Sequence, residues 1–155
     1  NRTGRLALAR AREFADHIET QLSVVSCIEA CDMVHTMSSL TGYDALLRGK
    51  RVVTYGQPFY AGWGLTEDVS RDGEALRRRQ RRLTLDELVA GTLLRYPIYW
   101  DWALNGYTTC EAVARRIVET RRLYEMRGDL EKLRSGWARR QLRKLAVLLT
   151  AQLYK

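Results

Sequence analysis

Two short segments of this sequence combine residue types that could bind an anionic ligand. The first is Ser38-Ser39, which follows the apolar segment Met33–Met37 and precedes a helical run containing Ala45–Leu47. Hydroxyl groups and free backbone N–H groups at the start of a helix can bind phosphate or carboxylate. The same serines could equally act as helix N-caps, a role that any helix favours. Gly42 would allow close approach of a ligand or of another part of the backbone.

The second segment is Gly56–Gly64, with the sequence G-Q-P-F-Y-A-G-W-G. Three glycines, one proline and three aromatic residues are incompatible with a regular helix or strand, so we expect a loop. A loop this apolar should pack against something, which is either a ligand or the core of the protein. His35, in the strand before the serines, is a further candidate, although a single histidine in a strand is more often structural.

The elements around these segments predict a parallel α/β unit, because strand-like and helix-like runs alternate along the chain. The expected elements are a helix in residues 3–15, a short strand at His17–Thr20, a helix from an N-cap at Ser23 to Cys31, a strand at Met33–Met37, a helix ending at Gly49 and a strand ending at Thr54. Three parallel strands with crossover helices form half of a doubly wound sheet, in which ligands bind beyond the strand ends. Both candidate segments follow such an end.

The remainder of the chain predicts a different organisation. We expect a polar, solvated stretch at residues 67–82 with the basic run Arg77–Arg82, and then a helix to Leu94 that starts at a capping box of Thr84 and Glu87. An aromatic linker at Tyr96–Trp102 and a turn at Asn105-Gly106 should follow. The last expected elements are a helix from Thr108 or Thr109 to Gly128 and an amphipathic helix from about Asp129 or Trp137 to Tyr154. These features divide the chain into a partial core at residues 1–66, a connecting segment at 67–107 and helices at 108–155.

Charge and composition limit the possible partners and cofactors. A net charge of +8 suggests nucleic acid, a phosphorylated ligand or an acidic membrane surface as partner. Cys27, Cys31 and Cys110 form no recognisable disulfide framework, which favours a reducing compartment. With only two histidines, we expect no metal site. No apolar run reaches the length of a membrane span, and no P-loop, G-x-G-x-x-G or G-x-S-x-G motif occurs.

The segment from Ser38 to Asp68 carries a resemblance to a known family. Its sequence, S-S-L-T-G-Y-D-A-L-L-R-G-K-R-V-V-T-Y-G-Q-P-F-Y-A-G-W-G-L-T-E-D, resembles the capsule polysaccharide biosynthesis family of the KpsC/LipA type. The resemblance includes E-A-C-D-M-V-H-T before it and R-R-L-T-L-D-E-L-V-A-G-T-L-L-R-Y-P after it, so it covers about Phe14 to Tyr99. It implies a retaining β-Kdo transferase that uses CMP-Kdo to build the Kdo linker of capsular polysaccharide before export.

The resemblance also implies an architecture and a set of site residues. The fold would be a GT-B-type glycosyltransferase, and this α/β chain would be the Rossmann-like, nucleotide-binding half of one module, followed by a helical C-terminal region. No cofactor or metal is implied. The donor-binding residues would be His35, Ser38, Ser39, Thr41 and Gly42, and the cleft loop would present Gly56, Gln57, Pro58, Phe59, Tyr60, Trp63, Gly64 and Glu67.

The implied partners lie partly outside this sequence. They are CMP-Kdo, a lipid-linked Kdo acceptor of the phosphatidylglycerol type, an anionic membrane surface on the cytoplasmic side of the inner membrane, and an N-terminal half of the same module. The sequence lacks an initiator Met and a K-P-H-P-type segment, so we expect a fragment of a longer protein, inactive alone, whose nucleophile lies upstream. Glu67 and Asp68 are the weak candidates within the chain. The alternatives are a basic α/β module that binds nucleic acid, which the family resemblance does not imply, and a structural fragment.

Overall fold

The computed structural model describes residues 8–70, 72–101 and 104–130 of the chain. The chain forms two compact units, which divide between Gly91 and Thr92. The first unit contains both candidate segments. The second unit contains a β-hairpin and a long helix.

The first unit is a small α/β structure with a parallel sheet. Its elements are α1 (Leu8–Ala11), α2 (Val24–Ala30), β1 (Met33–Thr36), α3 (Leu40–Leu46), β2 (Arg51–Thr54), β3 (Glu67–Asp68), α4 (Glu74–Arg78) and α5 (Leu85–Val89). A π-helical segment over Ala90–Arg95 follows α5 and includes the point at which the two units divide. The strands lie in the order β1-β2-β3, and both pairings are parallel. The predicted α/β class with parallel strands is therefore confirmed.

The helices that flank β1 and β2 begin and end at residues with local capping chemistry. Ser23 Oγ accepts a hydrogen bond from Ser26 N at 3.0 Å and caps α2 as predicted. After α3, Gly49 has a φ of +69°, a left-handed conformation that glycine adopts readily. Gly49 N donates to Leu46 O, and Lys50 N donates to Ala45 O, each at 3.0 Å. These two bonds form a Schellman motif and end the helix.

The core of the first unit lies between the sheet and the helices that pack on it. Its buried residues come from α2, α3, β2, the loop after β2 and α5; they are Ile28, Tyr43, Ala45, Leu46, Val52, Tyr60 and Leu88. Tyr60 is therefore a core residue that belongs to a candidate ligand-binding loop. Burial of such side chains is the main favourable term in folding.

The predicted strand at His17–Thr20 is wrong. Glu19 accepts hydrogen bonds from the backbone N–H groups of Gln21 at 2.5 Å and Leu22 at 3.0 Å, which fold this segment into a turn. The bond from Gln21 is the main reason that the pKa of Glu19 falls to about 2. The third strand is instead Glu67–Asp68, which the sequence placed in a polar, solvated stretch.

The second unit contains a β-hairpin where a linker was predicted. Strands β4 (Tyr99–Asp101) and β5 (Gly106–Thr108) pair antiparallel, and the predicted turn residue Asn105 has a φ of +49°. Helix α6 (Cys110–Met126) follows, with the predicted N-cap at Thr109. The predicted amphipathic helix ending at Tyr154 lies outside the described residues. The linker prediction was wrong because aromatic residues that follow a proline also suit a short strand.

The predicted capping box at the start of α5 is confirmed and gives a first testable expectation. Glu87 N donates to Thr84 Oγ1 at 3.2 Å, and Thr84 N donates to the Glu87 carboxylate at 2.8 Å. Thr84→Ala should lower the free energy of unfolding by about 1 kcal/mol, because it removes the side-chain cap. The bond from Thr84 N also lowers the pKa of Glu87, so its contribution is present above the unfolded-state pKa and is lost as pH falls through the folded-state value.

Urea denaturation at several pH values checks this expectation. Thr20→Ala is the matched control, because Thr20 is exposed and lies outside the helices. The difference between wild type and Glu87→Gln should shrink as the solution becomes acidic. An equal loss of stability in Thr84→Ala and Thr20→Ala would contradict the role of the cap.

Candidate functional site

The two candidate segments lie side by side at the carboxyl end of the sheet. Beyond the ends of β1 and β2, Tyr55 N donates to Thr36 O at 2.9 Å and Gly56 N donates to Met37 O at 3.0 Å. A Cβ atom on Gly56 would lie 2.6 Å from Met37 O, so this position has no room for a side chain. The parallel strands therefore place the Ser38-Ser39 segment, which we call the serine turn, and the Gly56–Gly64 loop at the same edge of the sheet.

Tyr60 joins the loop to the serine turn. Its side chain is fully buried, and its hydroxyl donates to Ser39 O at 2.5 Å. Burial raises the pKa of Tyr60, which keeps the phenol protonated as a donor at neutral pH. The ring lies directly against Gly42, where a Cβ atom would be 2.4 Å from the Tyr60 hydroxyl oxygen. Gly42 was predicted to allow close approach of either a ligand or another part of the protein, and in the structure it allows close approach of the Tyr60 ring.

The serine turn has one engaged and one free hydroxyl group. Ser39 is the N-cap of α3, and its Oγ accepts from Thr41 N at 3.2 Å and lies 2.9 Å from Thr41 Oγ1. Its N–H group donates to Thr36 Oγ1 at 3.3 Å. Ser38 is exposed, and its hydroxyl makes no hydrogen bond within the part of the chain that the structure describes. Ser38 is therefore the serine whose hydroxyl is available to a ligand.

His35 lies on β1 beside the loop after β2. Its Nδ1 atom is 3.0 Å from the hydroxyl oxygen of Tyr55, and the two ring centroids are 5.9 Å apart. Both side chains are exposed. The pair places an imidazole and a phenol next to the serine turn, where either can donate or accept a hydrogen bond.

Arg79 fixes the shape of the Gly56–Gly64 loop through contacts with two backbone carbonyl groups and one aromatic ring of the loop. Its guanidinium group donates to Pro58 O at 2.6 Å and to Ala61 O at 2.7 Å, and it lies 5.5 Å from the ring centroid of Trp63. Desolvation lowers the pKa of Arg79, and attraction to Asp68 partly opposes that change. The sequence placed this arginine in a solvated run, and no local signal marked its role.

Asp68 connects β2 to the same loop. Its Oδ1 atom accepts from Thr54 Oγ1 and Thr66 Oγ1, both at 2.7 Å, and its Oδ2 atom accepts from Gly62 N at 2.8 Å. Gly62 has a φ of +78°, which explains the need for glycine where the loop turns toward this carboxylate. Thr54 is fully buried. The carboxylate therefore satisfies polar groups at the base of the loop.

The neighbouring Glu67 has a different environment. It is exposed and accepts from Arg51 Nη2 at 2.6 Å. Arg51 begins β2, whereas the candidate loop leaves from the other end of that strand. The Glu67 side chain is therefore paired at the amino end of β2, although Glu67 was predicted as part of the cleft loop.

The side chains of Gln57 and Trp63 form hydrogen bonds within the protein, whereas the side chain of Phe59 is exposed. Gln57 Nε2 donates to Asp72 O at 3.0 Å, and its amide covers Gly73, where a Cβ atom would clash at 1.7 Å. Trp63 Nε1 donates to Phe59 O at 2.7 Å. Phe59 remains exposed. The exposed residues at this edge include His35, Met37, Ser38, Ser39, Leu40, Tyr55 and Phe59.

Comparison with known proteins identifies the family. A sequence profile described as "Capsule polysaccharide biosynthesis protein" matches residues 9–99, which include both loops of the site. The chain belongs to this family.

Two relatives of this chain come from Neisseria meningitidis and Rhizobium meliloti. "Capsule polysaccharide modification protein LipA" of Neisseria meningitidis serogroup B is 44% identical over 120 residues, which are 75% of this chain and 16% of LipA. "Lipopolysaccharide-processing protein LpsZ" of Rhizobium meliloti is 45% identical over 86 residues, which are 56% of this chain and 19% of LpsZ. The chain therefore spans less than a fifth of the length of these relatives.

Two solved structures resemble this family member. The Thermosulfurimonas dismutans KpsC β-Kdo 2,7 transferase aligns with a TM-score of 0.67 and 37% identity over 75% of this chain and 38% of that one. The β-Kdo 2,4 transferase from the same organism aligns with a TM-score of 0.56 and 39% identity over 61% of this chain and 28% of that one. The predicted resemblance to the KpsC/LipA type is confirmed.

Among the residues that the structure describes, no three His, Cys, Asp or Glu side chains lie close enough together to hold a metal ion. Of the helices within the same residues, none has both the length and the apolar character that crossing a bilayer requires. The predicted donor-binding and cleft-loop residues remain predictions.

Proposed function

We propose that this chain is the donor-binding part of a β-Kdo transferase that acts in capsule polysaccharide biosynthesis. The observation that carries the proposal is its similarity, at 37% and 39% identity, to two solved Kdo transferases. The donor is CMP-Kdo, bound between the two Rossmann-like halves of a GT-B-type enzyme. The product is the Kdo linker from which capsular polysaccharide is extended and exported.

The proposed donor site uses the exposed groups at the carboxyl end of the sheet. Ser38 supplies a free hydroxyl, and His35 supplies an imidazole for the phosphate or ribose of the donor. Tyr55 and Phe59 supply exposed aromatic surface, whereas Tyr60 is fully buried and holds the loop in place. This division follows the general rule that ligands of α/β sheets bind beyond the strand ends.

The proposed reaction needs a carboxylate from another part of the full-length protein. Double displacement at the anomeric carbon requires a free carboxylate as nucleophile. Asp68 accepts three hydrogen bonds at the base of the loop, and Glu67 is paired with Arg51. These contacts support a nucleophile in the N-terminal half of the module, and they support the proposal that the isolated chain is inactive.

The proposed acceptor is a lipid-linked Kdo of the phosphatidylglycerol type at the cytoplasmic face of the inner membrane. The net charge of +8 supports this, because a basic residue near an anionic lipid surface contributes roughly 1 kcal/mol. The basic run Arg77–Arg82 gives little support to nucleic-acid binding. Arg78 pairs with Glu74, Arg81 pairs with Glu87, and the guanidinium group of Arg79 is engaged behind the loop.

Calorimetric titration of the full-length protein with CMP and CMP-Kdo tests the donor proposal. Ser38→Ala should weaken binding about tenfold or more, as expected for loss of a hydrogen bond to a charged group. Ser39→Ala is less informative, because loss of the N-cap also destabilises α3 by about 1 kcal/mol. Thr20→Ala is the control for the loss of an exposed hydroxyl.

Two results would contradict the donor proposal. One is the absence of saturable CMP binding in the wild-type full-length protein. The other is salt-sensitive binding of any oligonucleotide without a response to CMP, which would support the nucleic-acid alternative.

A further inference from the structure

Nearly all of the excess positive charge lies in the second unit of the chain. Residues 92–155 contain 13 Lys and Arg against 6 Asp and Glu, so they carry +7 of the total of +8. Residues 1–91 contain 13 Lys and Arg against 12 Asp and Glu. Residues 131–155, which lie outside the described residues, contain 7 Lys and Arg against 1 Glu and so carry +6 of this charge, whereas residues 92–130 carry +1.

The β-hairpin of this second unit has one anchored face and one exposed face. On the anchored face, Arg116 Nη1 donates to both carboxylate oxygens of Asp101 at 2.6 and 2.7 Å, and the Tyr99 hydroxyl donates to Leu93 O at 2.7 Å. On the other face, Trp100 and Tyr107 lie opposite each other in the strand register. Their rings pack edge to face with centroids 5.2 Å apart, and both side chains are exposed.

Three more apolar side chains extend this exposed surface along the chain. Tyr96 is 88% exposed, Ile98 is 82% exposed, and Leu104 and Tyr107 are each 80% exposed. We call Tyr96, Ile98, Trp100, Leu104 and Tyr107 the hairpin patch. Among the residues that the structure describes, the four just quoted are the most exposed large apolar side chains. Concentrated exposure of this kind marks an interaction surface.

The residue types of the hairpin patch suit the headgroup region of a bilayer. Trp and Tyr favour this depth, because they combine an apolar ring with a polar group that reaches water. Ile98 and Leu104 add aliphatic groups that gain free energy by leaving water. Nucleic acid is a poorer fit, because single-stranded binding sites use aromatic rings for stacking and aliphatic side chains offer no such surface.

The charges of the second unit complement anionic lipid headgroups. Arg95, Arg115, Arg122 and Arg127 are exposed and form no ion pair within the described residues, whereas Arg116 and Arg121 are paired. Unpaired guanidinium groups can bind phosphate by two parallel hydrogen bonds. A unit that has both exposed apolar rings and unpaired arginines can gain free energy from two sources when it binds an anionic membrane.

We propose that the hairpin patch docks the protein on an anionic phospholipid bilayer at headgroup depth. This inference rests on the membrane location given under the proposed function, and it assigns the contact to the five residues of the hairpin patch rather than to the basic run Arg77–Arg82. The hairpin enters the headgroup region through its exposed face, while Asp101 and Tyr99 hold its other face to the rest of the unit.

Vesicle sedimentation of the full-length protein tests this proposal. The probes are phosphatidylcholine vesicles with and without phosphatidylglycerol. The triple variant Ile98→Ser, Leu104→Ser, Tyr107→Ser should reduce partitioning onto the phosphatidylglycerol vesicles by about tenfold or more, since three apolar contacts are lost. The matched control is Phe14→Ser, Leu22→Ser, Val24→Ser, which replaces three exposed apolar residues of the first unit. This control should bind as wild type.

Two further measurements separate docking from misfolding. Leu104→Ser alone leaves the paired rings of the hairpin intact and should still reduce partitioning severalfold. Tryptophan fluorescence should shift to shorter wavelength when phosphatidylglycerol vesicles are added, and Trp100→Phe should reduce that shift. CMP affinity of the triple variant should equal that of wild type, so failure of the docking proposal and failure of the donor proposal give different results.

Several outcomes would overturn the docking proposal. Wild-type partitioning in the triple variant is one, and failure of wild-type protein to bind phosphatidylglycerol vesicles is another. If the triple variant instead loses oligonucleotide binding, the patch serves nucleic acid. If it changes the oligomeric state in sedimentation velocity, the patch is a protein interface.

Discussion

Gly42→Ala is expected to destabilise the first unit by about 3 kcal/mol. The new Cβ atom would lie 2.4 Å from the hydroxyl oxygen of Tyr60 and 2.8 Å from its Cζ atom. Tyr60 is fully buried, so its ring cannot move into solvent without opening the core. Overpacking of a core costs about 1–3 kcal/mol, and loss of the hydrogen bond to Ser39 O adds about 1 kcal/mol. Chemical denaturation measures this loss.

A double-mutant cycle shows whether the loss arises at Tyr60. In a Tyr60→Leu background the obstructing hydroxyl and ring are gone, so Gly42→Ala should cost much less than in wild type. Gly91→Ala is the matched glycine control, because a Cβ atom there meets nothing within 4 Å. Equal stability changes in Gly42→Ala and Gly91→Ala would contradict the close contact. In the full-length protein, Gly42→Ala should also weaken CMP binding, since displacement of Tyr60 separates the loop from the serine turn.

Several helix boundaries were predictable because their causes are local. The N-caps at Ser23, Ser39, Thr84 and Thr109 each bond to a backbone N–H group two or three residues later. Such short-range chemistry can be recognised in one sequence without knowledge of tertiary structure. The Schellman motif at Gly49 has the same property, because both of its bonds span only a few residues.

The missed elements depend on contacts between distant residues. Strand β3 is two residues long and polar, and it pairs with β2, in which the partner of Glu67 is Val53, 14 residues earlier. The hairpin carries no alternating pattern longer than three residues in either strand. The false strand at His17–Thr20 had suitable strand formers, but the Glu19 side chain bonds to the backbone and selects a turn.

The candidate site was predictable as two segments but not as a connected structure. The composition of Gly56–Gly64 indicated a packed loop, and the structure shows that Tyr60 and Arg79 do the packing. Each bonds to a residue 21 positions away, namely Ser39 and Pro58, so no spacing rule could reveal the pairing. The identity of the proposed ligand rests on the family and not on these contacts.

Asp68 variants should separate a structural role from a catalytic one. Asp68→Ala leaves the buried Thr54 hydroxyl and the Gly62 N–H group without their acceptor, which should lower the free energy of unfolding by about 3 kcal/mol. Asp68→Asn can keep most of the network. Its amide oxygen can accept from Gly62 N, and its NH₂ group can donate to the hydroxyls of Thr54 and Thr66 after they rotate. We therefore expect Asp68→Asn to cost about 1 kcal/mol.

The transfer activity of the full-length protein gives the decisive comparison. An amide cannot attack an anomeric carbon as a carboxylate does, so Asp68→Asn would abolish transfer if Asp68 were the nucleophile. Because the carboxylate already accepts three hydrogen bonds, we expect Asp68→Asn to retain transfer within about tenfold and Asp68→Ala to lose it together with stability. Glu67→Gln is the control for charge, and breaking its exposed pair with Arg51 should change stability by less than about 1 kcal/mol. A stable Asp68→Asn protein that binds CMP but transfers no sugar would place the nucleophile in this chain and refute a source in the N-terminal half.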